Sequence, residues 1–206
     1  MTIRTTEAVK RKTKWEQIPK RIFEFTAASV MLAALLPVFA VIAGCIKMES
    51  KGPVFFTQVR GGKDNVHFTI FKFRTMTDDP ALRNDEIEVL ATDARITKVG
   101  HVLRKYSLDE LPQLINIIKG DMSFVGPRPT LTSQTDRYDA HQMQRLLVKP
   151  GVTGWAQVSG RNSLSWREKI ELDIEYIQRQ SARFDFYILM LTVLKVFKSE
   201  GVYGDS

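Results

Sequence analysis

Residues 25–46 read FTAASVMLAALLPVFAVIAGCI, a run of 22 residues without a charged side chain. A helix that crosses the hydrocarbon core of a bilayer needs about 20 residues of this kind. We therefore expect the run to enter a membrane as a helix. It divides the chain into a basic N-terminal segment at residues 1–21, a membrane element at residues 22–47 and a larger domain at residues 48–206.

The charges on either side of the run bear on its topology. Lysine and arginine occur at six positions between residues 10 and 21, and at four positions from Lys47 to Lys63. The positive-inside bias depends on asymmetry between the flanks, and basic flanks on both sides place both ends in the cytoplasm. Pro37 lies near the middle and lacks the N–H that a continuous helix uses. We therefore favour a re-entrant helix–break–helix over a simple span, and both over a buried core helix.

Cys45 offers an alternative reading of the same segment. The tetrapeptide Ile42-Ala43-Gly44-Cys45 resembles a lipoprotein cleavage site, at which the cysteine would carry a lipid. The basic leader is long for such a signal, and Lys47 follows the cysteine closely. We expect Cys45, the single cysteine of the chain, to be a small buried apolar residue instead.

The overall composition is that of a globular protein with anionic partners. Of the 206 residues, 44% are hydrophobic and 26% are charged, with a net charge of +7. An excess of lysine and arginine favours nucleic acid, an anionic membrane surface or phosphorylated substrates. No basic helix carries interleaved aromatic residues, so nucleic acid is the least favoured. The three histidines are scattered without zinc-ligand spacing.

The downstream pattern predicts an α+β domain, mainly helical, with a small β-hairpin. Two aromatic and β-branched runs, residues 54–60 and 66–73, flank a glycine-containing loop and predict the hairpin. Helical patterns are expected at residues 77–93, 97–104, 107–119, 165–180 and 184–197. The last helix is too short to span a bilayer and would lie in the interface or cover the core.

Asp109 and Glu110 are the most suggestive chemical feature of the domain. They stand at a predicted helix start, just after Arg104, where unpaired backbone N–H groups and the helix dipole favour phosphate. One carboxylate would face a phosphorus atom while the other held Mg²⁺. The spacing of Ser107 and Glu110 also fits a capping box, which would explain Glu110 without any chemistry. The residues alone leave both explanations open.

Several cations are candidate phosphate contacts. Lys72 and Arg74 alternate with aromatic residues on the second predicted strand and would share one face. Arg128 stands between two prolines, which restrict its backbone. Arg161 lies in a polar turn, where a solvated arginine is an equally simple explanation. Guanidinium groups bind phosphate bidentately, which favours the arginines.

Taken in order, seven segments strengthen this interpretation. They are GPVFF (52–56), KFRTM (72–76), RITKVG (95–100), LRK with SLDELPQL (103–114), KGDMS (119–123), VGPRP (125–129) and KPGVTGWAQVSGRN (149–162). The ordered set resembles the bacterial sugar transferases, the monotopic phosphoglycosyl transferases, and covers the chain from about residue 20 to its C-terminus. No single motif decides the resemblance, but the ordered set is highly specific.

The resemblance implies an enzyme that moves a sugar-1-phosphate from a UDP-sugar to a polyprenyl phosphate such as undecaprenyl phosphate and releases UMP. Such enzymes initiate exopolysaccharide, capsule, O-antigen or glycoconjugate synthesis. It implies a re-entrant helix in the bacterial inner membrane, in contact with membrane lipids, and a catalytic domain on the cytoplasmic face. The transferred sugar stays undetermined, and so does the oligomeric state, for which a homo-oligomer is one option.

The resemblance also implies roles for individual residues. Asp109 would be the nucleophile that forms a covalent phospho-sugar intermediate, and Glu110 would be the Mg²⁺ ligand. The remaining matched positions would contact phosphate or nucleotide: Arg104, Arg128 and Arg161, and with less support Lys72, Arg74 and Gln113.

Two departures from the family pattern stand out. Ala94 replaces a common proline, and Leu36 replaces a common serine before Pro37, which removes a hydroxyl cap but not the break. Long relatives carry extra spanning helices ahead of this core, and we expect this chain to correspond to the small catalytic form. The rival class is a non-catalytic membrane-surface scaffold that binds anionic lipid and assembly enzymes. The intact Asp109–Glu110 pair favours the enzyme.

Overall fold

The computed structural model describes residues 14–77, 93–160 and 163–198, and this part of the chain is mainly helical with two small sheets. The helices are α1 (Lys14–Glu49), α2 (Lys98–Lys105), α3 (Gln113–Lys119), α4 (Thr132–Thr135), α5 (Trp155–Ser159), α6 (Trp166–Arg179) and α7 (Ala182–Lys198). The strands are β1 (Phe55–Gly61), β2 (His67–Phe73), β3 (Ser123–Val125) and β4 (Gly151–Thr153). Short 3₁₀ turns occupy Lys63–Asn65, Leu108–Glu110 and Gln142–Leu147. The predicted α+β class is confirmed.

The predicted hairpin is confirmed, and the structure adds a second sheet. Strands β1 and β2 pair antiparallel, with Phe55 opposite Phe73 and Gly61 opposite His67. Strands β3 and β4 form a parallel pair, which the sequence pattern did not predict. Two three-residue strands carry too short a periodicity to be recognised, and their pairing is non-local.

Helix α1 is continuous through Pro37. The predicted break at this proline is therefore not confirmed. Within the described residues, Ile18–Glu49 is the one helix long and apolar enough to cross a membrane. Its side chains are mostly exposed, Val41 by 67% for example, so a fully buried core helix is excluded. Cys45 is half-buried rather than buried.

Both halves of α1 pack on the same domain. In the first half, Lys20 Nζ lies 2.8 Å from Asp185 Oδ2 of α7, and Glu24 is only 5% exposed. In the second half, Ile46 is 2% exposed, and the Glu49 carboxylate accepts hydrogen bonds from the first backbone N–H groups of α2 at 2.6 and 2.9 Å. The domain therefore contacts this helix on both sides of Pro37.

Helix α7 has one buried and one exposed face. Phe184 and Ile188 join the core cluster around Tyr176, whose hydroxyl donates to the Val125 carbonyl at 3.0 Å. The opposite face exposes large apolar side chains, with Phe186 64% accessible. The prediction of a helix at 184–197 is confirmed, and the helix begins two residues earlier, at Ala182.

Two further helix predictions hold and one needs correction. Helices α2 and α6 match the predictions, and α6 has a true capping box between Ser165 and Glu168. The predicted helix at 107–119 does not begin at Ser107, which has a left-handed backbone (φ 54°) and makes no side-chain cap. The chain forms a 3₁₀ turn there, and α3 begins only after Pro112. The surface helix predicted at 77–93 falls, apart from its end residues, outside the described residues.

Candidate active site

Glu110 is the point at which three separate segments of the chain meet. It lies on the 3₁₀ turn between α2 and α3. Lys72 Nζ on β2 donates to Glu110 Oε1 at 2.8 Å. Arg128 Nη2, from the loop after β3, donates to the same oxygen at 2.9 Å. The predicted capping-box explanation of Glu110 is therefore wrong, because its carboxylate binds two distant cations and not the Ser107 backbone.

The charge state of Glu110 follows from these partners. Its side chain is 13% exposed, and burial by itself would raise its pKa. The charges of Arg128 and Lys72, with their hydrogen bonds, outweigh burial and hold the pKa of Glu110 well below its usual range. Glu110 is thus a stable anion. Its second oxygen, Oε2, has no hydrogen-bond partner among the described residues.

Asp109 has a different environment from its neighbour. Burial raises the pKa of Asp109, the charge of Lys72 opposes that rise, and the like charge of Glu110 adds to it. Within the described ranges, no side chain donates a hydrogen bond to its carboxylate. A desolvated carboxylate without donors retains its lone pairs for an electrophile or a cation.

Arg104 is brought toward this pair by a close contact between α2 and the end of β2. Its Nε donates to Thr75 Oγ1 at 2.9 Å, and its charge acts on Asp109 to lower the pKa. A Cβ on Gly100 would lie 2.1 Å from the Thr75 carbonyl oxygen. Only glycine allows the helix to approach the strand so closely.

The second sheet anchors the loop that carries Arg128. Gly126 N donates to the Thr153 carbonyl, and Gly151 N donates to the Pro127 carbonyl, both at 2.9 Å. A Cβ on Gly126 would lie 2.4 Å from the Lys149 carbonyl oxygen, so the two backbones pack without side chains between them. The Arg128 side chain is 53% exposed, which leaves its guanidinium accessible to a ligand.

Two predicted site residues within the described ranges, Arg74 and Gln113, do not join this cluster. Arg74 is 5% exposed and donates to the carbonyls of Ser50 and Lys51 at 2.9 and 2.6 Å. It therefore joins the end of α1 to the hairpin. Gln113 is 2% exposed on α3. Arg161 lies outside the described residues.

Sequence reasoning missed two ion pairs near the cluster. The guanidinium of Arg95 lies 2.6 Å from Asp93 Oδ2. Hydrogen bonds from Arg95, aided by the charge of Arg104, lower the pKa of Asp93 to about 2. The second pair, Arg145 and Asp173, is 2.6 Å apart and almost wholly buried. The short Asp-Ala-Arg spacing could have indicated the first pair, whereas nothing local indicates partners 28 positions apart.

The chemistry of the two acids fits Mg²⁺. Among the described residues no group of three or more histidine, cysteine or acidic side chains could hold a metal ion. Mg²⁺ is commonly bound through one or two carboxylates, with water and substrate phosphates completing an octahedron. The Oε2 atom of Glu110, beside Asp109, matches that donor set. His67 and His141 instead pair with surface acids.

Comparison with known proteins gives consistent matches along almost the whole chain. The family model described as bacterial sugar transferase matches residues 15–199. The Bacillus subtilis protein named uncharacterized sugar transferase EpsL is 46% identical over 185 residues, which cover 90% of each chain. The Rhizobium meliloti exopolysaccharide production protein ExoY is 39% identical, covering 89% of this chain and 88% of that protein.

A longer relative carries a more specific name. The Escherichia coli UDP-glucose:undecaprenyl-phosphate glucose-1-phosphate transferase is 42% identical over 194 residues. The match covers 89% of this chain but only 41% of that protein.

Proposed function

This chain belongs to the bacterial sugar transferase family, and from that membership we propose that it transfers a sugar-1-phosphate from a UDP-sugar to a polyprenyl phosphate and releases UMP. The observation that carries the proposal is the Asp109–Glu110 pair on one 3₁₀ turn, in which Glu110 accepts hydrogen bonds from Lys72 and Arg128. The names of the E. coli relative and of ExoY support a lipid phosphate acceptor and a role in exopolysaccharide synthesis.

In the first step, a carboxylate oxygen of Asp109 forms a bond to the sugar-linked phosphorus of the UDP-sugar. The bond from that phosphorus to the bridging oxygen breaks, and UMP leaves with the electron pair. Arg128, with its exposed guanidinium, and Lys72 lie where they can neutralise the diphosphate oxygens. The low pKa of Glu110 keeps it anionic beside them.

In the second step, a phosphate oxygen of the polyprenyl phosphate attacks the same phosphorus. The bond to Asp109 breaks, and the carboxylate is regenerated. Covalent catalysis of this kind divides one difficult displacement into two easier ones. Glu110 would hold Mg²⁺, which when bound would neutralise charge on the diphosphate.

We also propose that α1 bends at Pro37 without interrupting its helical run, so that it enters the membrane and returns to the same face, with the domain on the cytoplasmic side. Glu24 and Ile46 are 22 positions apart (46 − 24), roughly 33 Å along a helix. That length slightly exceeds the ~30 Å thickness of the hydrocarbon core. Both residues are nevertheless buried against the domain, which a straight crossing would not allow. The exposed apolar face of α7 would rest on the same bilayer surface.

The test is a UMP-release assay. Purified full-length protein is supplied with undecaprenyl phosphate, Mg²⁺ and a panel of UDP-sugars, and UMP is measured for each donor. We expect UMP with at least one sugar and none from Asp109→Asn. Absence of UMP with every donor would contradict the transferase and favour the membrane-surface scaffold.

A further inference from the structure

Arg145 and Asp173 form a buried ion pair behind the Arg128 loop. Arg145, on the 3₁₀ turn Gln142–Leu147, is 3% exposed, and Asp173, on α6, is 1% exposed. Arg145 Nη2 lies 2.6 Å from Asp173 Oδ2. The guanidinium carbon also lies 5.1 Å from the ring centre of Trp166. A charge pair buried this deeply contributes little net stability to the fold.

The same guanidinium contacts the loop that carries Arg128. Its Nη2 donates to the Arg128 carbonyl at 3.2 Å, and its Nη1 donates to the Tyr138 hydroxyl at 2.7 Å. The Tyr138 hydroxyl in turn lies 2.9 Å from Thr130 Oγ1. Arg145 therefore reaches the loop at two positions, one directly and one through Tyr138.

Two other loop carbonyls, those of Pro127 and Thr130, are held by backbone groups. Gly151 N donates to the Pro127 carbonyl at 2.9 Å, and Gly61 N donates to the Thr130 carbonyl at 3.0 Å. The carbonyl of Arg128 lies between them, outside both sheets. A side chain, Arg145, supplies its donor.

We infer that Arg145, oriented by Asp173, is a positioning residue that holds the backbone of Arg128 so that its guanidinium meets Glu110. This inference rests on the proposed function for its kinetic consequence. Arg145 itself contacts neither Asp109 nor Glu110. Its effect reaches the site only through the direction in which Arg128 points, and small misplacements of a charge-bearing group cost catalysis steeply.

The kinetic test uses Arg145→Lys, which keeps a positive charge near Asp173. The substitution removes the planar guanidinium, whose N–H groups donate to Asp173, the Arg128 carbonyl and the Tyr138 hydroxyl. We expect kcat/KM for UMP release to fall by about tenfold to a hundredfold. Tyr138→Phe removes the hydroxyl that accepts from Arg145 Nη1 but leaves the Arg145–Asp173 ion pair in place, and a smaller loss of the same kind is expected. Arg137→Lys is the matched control, because this neighbouring arginine is exposed. The kcat/KM of this variant should not change.

A double-mutant cycle with Arg128→Ala separates positioning from general stability. If Arg145 acts through Arg128, adding Arg145→Lys to Arg128→Ala should lower kcat/KM by no more than about twofold further. An equal loss in both backgrounds would show that Arg145 acts independently of Arg128 and would overturn the inference. Thermal unfolding of all variants, measured in parallel, should give additive shifts in Tm.

Hydrogen exchange tests the same inference without any turnover. In the full-length protein, Arg145→Lys and Tyr138→Phe should accelerate exchange in peptides covering residues 126–131, while peptides from α3 stay unchanged. Unchanged exchange in residues 126–131 for both variants would refute the positioning role. This result stands even if no UDP-sugar is turned over, so failure of the proposed function and failure of this inference are distinguishable.

Discussion

The Lys72 ammonium lies 2.8 Å from the Glu110 carboxylate, although 38 positions of sequence separate the two residues. The contact joins the hairpin to the 3₁₀ turn and places a cation beside Asp109, whose pKa it lowers. Lys72 therefore acts on both acids, by hydrogen bonding to one and by charge on the other.

Replacing Lys72 by Met should shift the pH dependence of UMP release. The lysine charge favours the ionised form of Asp109, so its loss raises the pKa of Asp109 further above the ordinary value. The acid limb of the kcat profile should move to higher pH, and the rate at neutral pH should fall by about tenfold to a hundredfold. The exposed Lys105→Met is the control. An unchanged acid limb in Lys72→Met would contradict this account of Asp109.

Replacing Asp109 by Asn should abolish the covalent intermediate. The amide is a poor nucleophile, so no phospho-sugar ester can form. Intact-mass spectrometry after mixing with the UDP-sugar, without lipid acceptor, should show the sugar-phosphate adduct on the wild type only. Asp136→Asn, at an exposed acid, should retain the adduct. A stable adduct on Asp109→Asn would remove this residue from its proposed role.

Asp173 should make folding stability depend on pH. Burial raises its pKa to about 6, against the opposing charge of Arg145. The folded state therefore holds the proton more tightly than the unfolded chain, whose aspartates titrate near pH 3.9. The resulting stabilisation, up to about 3 kcal/mol, is complete below about pH 4. It is lost as the pH rises through about 6. Thermal unfolding at pH 5 and pH 8 should show this loss in the wild type but not in Asp173→Asn. If the stability of the two proteins depended on pH in the same way, this role of Asp173 would be contradicted.

The exposed face of α1 should be needed for membrane attachment. Val41 is 67% exposed on this helix, and a lysine near the middle of a membrane segment costs about 2.5–3.5 kcal/mol. Val41→Lys should shift the protein from the membrane to the soluble fraction on flotation with liposomes. Val66→Lys, on the hairpin and also 67% exposed, is the matched control. Equal flotation of both variants would contradict a membrane role for this face.

Much of the fold could be predicted from local pattern. The apolar run of residues 25–46 identified α1, aromatic alternation identified β1 and β2, and apolar spacing identified α6 and α7. These signals are local because each depends on residues a few positions apart. The parallel pairing of β3 with β4 and the left-handed turn at Ser107 depend on distant packing, and the local pattern at Ser107 pointed to a different structure.

The residue types of the site could be identified from the chain alone: two adjacent acids, a lysine on a strand and an arginine between two prolines. Which of these residues meet depends on how the chain folds. It brought Lys72 and Arg128 to one oxygen of Glu110, committed Arg74 to backbone carbonyls, and set Arg145 behind the Arg128 loop. The physical reason is that charge interactions act through space at a few ångströms. Residues far apart in sequence reach such distances only when the packed backbones of the strands, turns and helices bring them together.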